Sequence, residues 1–98
     1  MSDLSLKDLT DRKPVRLEKN GEAICVTKIG SEVYAIGDTC SHSEASLAEG
    51  DVTDTKIECW LHGAEFDLRT GKVLSMPATE DVKSYVVNVD GDSVTIAI

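Results

Sequence analysis

The sequence predicts an all-β domain, mostly antiparallel, made of short strands joined by tight turns. Apolar and polar residues alternate with a period of two, most clearly near the C-terminal end. Turn signals, Asn20-Gly21 foremost, fall between the apolar runs. Helical patterning is confined to stretches too short to be stable without tertiary packing. At 98 residues the chain supports one domain, 1–98, burying roughly 60–68% of the surface its unfolded form exposes.

Each element follows from local chemistry. Ser5 to Leu9 can form a turn or two of helix. Val15-Arg16-Leu17-Glu18 is a strand that passes through Lys19-Asn20-Gly21 into a second strand, Glu22 to Lys28. Asn and Gly both tolerate the positive φ that a two-residue hairpin turn demands. Gly30-Ser31 permits the next reversal, before Glu32-Val33-Tyr34-Ala35-Ile36. Ser43 to Glu49 can carry a short helical segment ended by Gly50. A hairpin joins Phe66-Asp67-Leu68 to Lys72-Val73-Leu74 through Arg69-Thr70-Gly71. The last joins Tyr85–Val89 to Ser93–Ile98 through Asp90-Gly91-Asp92. There Tyr85, Val87 and Val89 share one face and Val94, Ile96 and Ile98 share a face of the partner, with Val86 interrupting the polar side.

Hydrophobic residues make up 41% of the chain, but with one Trp, one Phe and two Tyr the core must rely on Val, Ile, Leu and Ala. A supply this modest leaves room for a stabilising metal site. Eighteen acidic against ten basic residues give a formal charge of −8. Such a field repels DNA, RNA and anionic membranes, and suits either simple solubility or an electropositive protein partner. No apolar run approaches the ~20 residues that cross a bilayer. The stretch from Met1 to Asp8 lacks the basic head and apolar segment of a secretory signal, so a cytoplasmic location is expected. Three cysteines cannot all pair, and reducing cytosol disfavours structural disulfides. Their placement beside histidines makes metal ligation the better question.

Two short loops concentrate the chemistry. The first reads Gly37-Asp38-Thr39-Cys40-Ser41-His42-Ser43 and the second Cys59-Trp60-Leu61-His62-Gly63. These segments hold both histidines of the chain, each within three residues of a cysteine. A thiolate and an imidazole in each loop can converge on one inorganic centre. Sixteen residues separate His42 from Cys59, enough for the chain to leave the first loop and return. Either motif alone is weak, since Cys59-Trp60-Leu61-His62 could simply be a strand end packed in a core. The ordered pair is much more specific. Cys₂His₂ also makes tetrahedral zinc sites, but zinc fingers usually group cysteine with cysteine and histidine with histidine. Here each loop mixes the two, and the long helix of a nucleic-acid-reading finger is missing.

At Cys40, His42, Cys59 and His62 the sequence resembles the Rieske ferredoxins, especially the ferredoxin components of multicomponent aromatic-ring dioxygenases. The resemblance extends over nearly the whole chain, including Glu32–Ile36 and Pro77-Ala78-Thr79. It implies a Rieske fold: an antiparallel β-sandwich with an inserted cluster-binding subdomain, here about residues 38–75. It also implies one [2Fe–2S] cluster, with Cys40 and Cys59 on one iron and His42 and His62 on the other through Nδ1. Neutral imidazoles leave such a cluster less negative than a Cys₄ cluster, which eases reduction. His42 and His62 are then the expected route of the electron and the place where partners dock. Met76, Pro77 and Ala78 resemble a third family loop that covers the cluster without ligating it.

The chain departs from the respiratory branch of the family. Ala45 and Leu61 stand where that branch carries a disulfide, and Ala64 and Phe66 where it commonly carries serine and tyrosine hydroxyls. Without those donors the potential should lie toward the low end of the Rieske range, about −150 mV. Cys25, far upstream in a strand, is expected to be a small buried hydrophobe. Trp60 is either a packed strut or an interface contact.

The resemblance thus implies a non-enzymatic one-electron carrier. It would serve as a monomer between a flavin-dependent NAD(P)H ferredoxin reductase and a terminal aromatic-ring dioxygenase. The chain shows no flavin or nicotinamide phosphate loop and no mononuclear-iron triad of its own. The alternatives are a Rieske small subunit of another redox enzyme, such as a nitrite reductase, and a zinc-stabilised non-redox adaptor.

Overall fold

The structure, a computed structural model, describes residues 3–39, 46–60, 63–75 and 80–97. Its strands are β1 (Leu4–Ser5), β2 (Val15–Lys19), β3 (Glu22–Ile29), β4 (Glu32–Gly37), β5 (Asp51–Thr53), β6 (Lys56–Glu58), β7 (Glu65–Asp67), β8 (Ser84–Asp90) and β9 (Ser93–Ala97). Six form a main antiparallel sheet in the order β1-β9-β8-β4-β3-β2, which curls into a half-barrel. The other three form a small sheet, β5-β6-β7, inserted between β4 and β8. The expected all-β fold with an insertion is therefore present.

Turn chemistry sets the registers. Lys19 lies opposite Glu22, and the two residues between them, Asn20 and Gly21, have φ of 52° and 81°. Both signs are those of a primed hairpin turn, whose twist matches that of the flanking strands. Ile29 opposes Glu32 across Gly30-Ser31, and Asp90 opposes Ser93 across Gly91-Asp92.

Strands β3 and β4 are covered on both faces, and their period of two divides the molecule into two cores. On one face Ile24 and Val26 of β3 and Val33 and Ala35 of β4 pack with Leu9, Val94 and Ile96 inside the half-barrel. On the other, Cys25 and Ile36 join Leu47, Ile57, Cys59, Ala64, Phe66 and Leu68. This second core fastens the small sheet to the main one. Cys25 is fully buried, with its sulfur 3.9 Å from the Thr27 hydroxyl. Burial pushes its thiol up to about 12, so it stays protonated and serves as a small hydrophobe.

Several elements differ from the sequence expectation. The helical stretch near the start is a 3₁₀ turn, Leu6–Asp8, with Ser5 as its N-cap and Asp8 closing a capping box. The second is likewise one 3₁₀ turn over Leu47–Glu49, closed by the Gly50 N–H donating to the Leu47 carbonyl; residues 43–45 lie outside the described residues. The 66–74 hairpin contracts to a single bridge, Phe66 with Val73, flanked by bonds from the Asp67 N–H to the Lys72 carbonyl and from the Leu74 N–H to the Glu65 carbonyl, while the other edge of β7 pairs with β6. Strands β5 and β6 were not anticipated. On β8, Tyr85 and Val87 turn inward, whereas Val89 is 47% exposed where the strand overruns the core.

Candidate metal centre

Cys59 sits one residue beyond β6, in the loop that leads to β7. Its N–H donates to the Ala64 carbonyl at 2.7 Å, and the Gly63 N–H donates back to the Cys59 carbonyl at 2.9 Å. These two bonds close the loop on itself. Cys59 is 1% exposed and belongs to the second core with Leu47, Ile57, Ala64 and Phe66. Trp60, the next residue, is 54% exposed. It is a surface residue and not a packed strut.

The base of the first loop is held by one residue. Asp38 follows β4, and across the loop Thr39 bridges Ser46. The Asp38 carboxylate accepts from the Ser46 hydroxyl at 2.6 Å and from the Ala48 N–H at 2.9 Å. Its own N–H donates to the Ala23 carbonyl, and its carbonyl accepts from the Leu47 N–H. Leu47 then enters the same core as Cys59. Beyond it, Gly50 runs so close to the Glu58 carbonyl that a Cβ at residue 50 would collide with it. The exit of the first loop is thereby packed against the strand that delivers Cys59.

A third loop is held from both sides. The Glu65 N–H donates to the Ser75 hydroxyl at 3.0 Å and the Val73 N–H to the Asp81 carboxylate at 2.8 Å. The Val82 N–H donates to the Gly71 carbonyl at 2.9 Å.

Of the four expected ligands, Cys59 is described; Cys40, His42 and His62 lie outside the described residues, as do Ala45, Leu61 and Met76 to Thr79. What the structure brings together are the bases of the two Cys-His loops, through Leu47, Ile57, Cys59 and Ala64. Sequence reasoning missed Asp38 as the fastening of the first loop. A lone acid ahead of a loop carries no distinguishing signal.

The surroundings of Cys59 fit a cysteine that ligates a metal centre. A ligand sulfur must be a thiolate, and one set against apolar walls requires a compensating cation. Cys59 has those walls and a free thiol, while Cys25 is committed to the interior as a thiol. Ala64 and Phe66 are fully buried and bring no hydroxyl to the neighbourhood of Cys59.

A curled main sheet bearing a small inserted sheet, with the bases of the two Cys- and His-bearing segments packed on one core, makes a two-sheet β domain. The chain belongs to the Rieske [2Fe–2S] domain family, which matches residues 2–86. Its cofactor is a Rieske-type [2Fe–2S] cluster. The chain is 40% identical over 89 residues to the ferredoxin component of biphenyl 2,3-dioxygenase from Rhodococcus jostii, covering 91% of this chain and 83% of that one. Its structure matches the ferredoxin of carbazole 1,9a-dioxygenase from Nocardioides aromaticivorans with a TM-score of 0.95 and 35% identity, over 99% of this chain and 95% of that one. It also matches, at a TM-score of 0.92 and 32% identity, a ferredoxin solved in complex with the oxygenase of carbazole 1,9a-dioxygenase, over 99% and 100% of the two chains.

Proposed function

We propose that this chain is a one-electron carrier in a multicomponent oxygenase system. It takes electrons from a flavin-dependent NAD(P)H ferredoxin reductase and delivers them to a terminal aromatic-ring dioxygenase. The observation that carries this reading is the 40% identity to a dioxygenase ferredoxin component across 91% of the chain. A protein of this kind is a carrier and not an enzyme.

In this reading Cys40 and Cys59 hold one iron and His42 and His62 the other, within a cluster-binding part of about residues 38–75 of a single domain. When bound, the cluster supplies one reversible electron. The chain does the rest. The walls around Cys59 exclude water from its sulfur, and in this reading partners dock near His42 and His62. Exposed Trp60, two residues ahead of His62 in the sequence, offers an apolar contact to a partner. The net charge of −8 favours electropositive docking faces on both partners. The carrier works as a monomer in the cytoplasm, where its ligand thiols stay reduced until the cluster is assembled.

A small-subunit role in another redox enzyme, such as a nitrite reductase, is the weaker reading, because the 40% identity is to the ferredoxin component of a dioxygenase. The test is EPR before and after anaerobic dithionite reduction, on full-length protein with measured iron and sulfide. We expect two irons and two sulfides per chain, a signal that appears on reduction, and NADH-driven reduction through a purified flavin-dependent ferredoxin reductase. An EPR-silent protein with stoichiometric zinc would overturn the proposal.

A further inference from the structure

We infer that Asp38 is the positioning residue of the first ligand loop, and that its buried charge opposes the addition of an electron to the centre. The inference rests on the assignment of Cys40 and His42 as ligands.

Asp38 is 2% exposed. A carboxylate this deep is costly unless its oxygens are occupied, and here they are. Oδ1 accepts from the Ala48 N–H at 2.9 Å. Oδ2 accepts from the Ser46 hydroxyl at 2.6 Å and lies 3.3 Å from Arg16 Nε. The main chain of the same residue is also engaged, donating to Ala23 at 3.0 Å and accepting from Leu47 at 2.6 Å. One residue therefore ties the outgoing limb of the loop at Asp38 to its returning limb at Ser46–Ala48. It also ties both limbs to β3 through Ala23 and to β2 through Arg16. Cys40 and His42 lie between those limbs, two and four residues beyond Asp38.

Hydrogen bonding alone would not require a charge at this place. The carboxylate adds a negative charge close in sequence to a ligand of a centre whose task is to accept another. Arg16 offsets this only in part, since its side chain is 48% exposed and is shared with Glu18 at 2.6 Å. Removing the charge while keeping the shape should therefore make reduction easier.

The test uses the full-length, cluster-loaded protein with Asp38→Asn and Ser46→Ala. Iron and sulfide content, EPR line shape, potential by redox titration and the rate of cluster loss to a chelator are read for each, and far-UV circular dichroism checks that the sheets persist. Asp38→Asn is expected to shift the potential to more positive values. Ser46→Ala keeps the charge and cuts the shortest side-chain tie, so it is expected to lose its cluster several-fold faster. A wild-type potential in Asp38→Asn, or wild-type resistance to chelator in Ser46→Ala, overturns the proposal. Failure of the ligand assignment is seen separately, in a Cys40→Ser protein that retains a full cluster.

Discussion

The Lys19 ammonium meets the Asp3 carboxylate at 2.9 Å, joining the two outermost strands of the main sheet across the open side of the half-barrel. Lys19 ends β2 and Asp3 precedes β1. Because β1 pairs with β9 only at Leu4 and Ser5, the backbone of Ile96 lies beyond that short ladder. Asp3 accepts from the Ile96 N–H at 2.8 Å, and Lys19 donates to the Ile96 carbonyl at 2.6 Å. An ion pair thus completes main-chain bonding that a longer strand would have supplied, and blunts an edge that could otherwise recruit another chain.

Asp3→Ala should destabilise the fold by about 1–3 kcal/mol, because it leaves the Ile96 N–H without its acceptor and removes the carboxylate that Lys19 faces. Denaturant unfolding measures this. The Ile96 N–H, and then Lys19, hold the Asp3 carboxyl below the usual carboxylate range. Its folded value therefore lies below its unfolded one, so the contribution is complete above about pH 4 and fades as pH falls through the folded value. Asp3→Asn should flatten the acid side of the stability profile; a profile parallel to wild type would reject the linkage.

Gly71→Ala should cost about 1–3 kcal/mol, seen as a lowered Tm. Residue 71 has φ of 77°, and a Cβ there would run into the Val82 carbonyl. The substitution should also disturb the bond from the Val82 N–H to residue 71, which helps fasten the third loop.

Cys25 should be silent to a disulfide thiol reagent at pH 8 in the folded protein and react on unfolding. Its thiol is pushed up to about 12 by burial, so almost no thiolate exists to attack. Cys25→Ala should keep full iron content and lower stability by about 1–2 kcal/mol through the small void it leaves. Loss of iron would make Cys25 a participant in the centre.

Ala64→Ser should raise the reduction potential. Residue 64 is fully buried, and its carbonyl already accepts from the Cys59 N–H, so a hydroxyl there lies within the second core beside Cys59. A donor reaching a cluster sulfur stabilises the added charge. An unchanged potential would mean that the missing hydroxyl does not set it.

What could be read from sequence was chemistry confined to neighbours. Asn20-Gly21, Gly30-Ser31 and Gly91-Asp92 announce their turns because the φ requirement is local. The two Cys-His motifs are likewise spelled out within a few residues each. Strands β5 and β6 stayed hidden because each is three residues long and offers one apolar side chain, Val52 or Ile57. Asp54 takes φ of 54° in the turn between them, where a glycine would have marked the reversal. Asp38 and Lys19 were hidden by distance along the chain. The first is made structural by Ser46, Ala48 and Arg16, and the second by Ile96, 77 residues away.

The small sheet also has a peculiar mode of attachment. The Gly37 N–H donates to the Lys83 carbonyl at 2.7 Å, and Ile36 stands in register with Ser84. The chain departs and rejoins on adjacent rungs. The core inside the half-barrel draws its described residues from Leu4 to Ala35 and from Tyr85 to Ile96, with none from 38–83. The stretch that carries the small sheet is therefore a passenger on a shell that fills its own interior. Spliced between two neighbouring strands of an unrelated protein, the stretch would ask its new host for that pair of rungs, one apolar face to rest on and partners for Asp38 of the kind that Ala23 and Arg16 supply here.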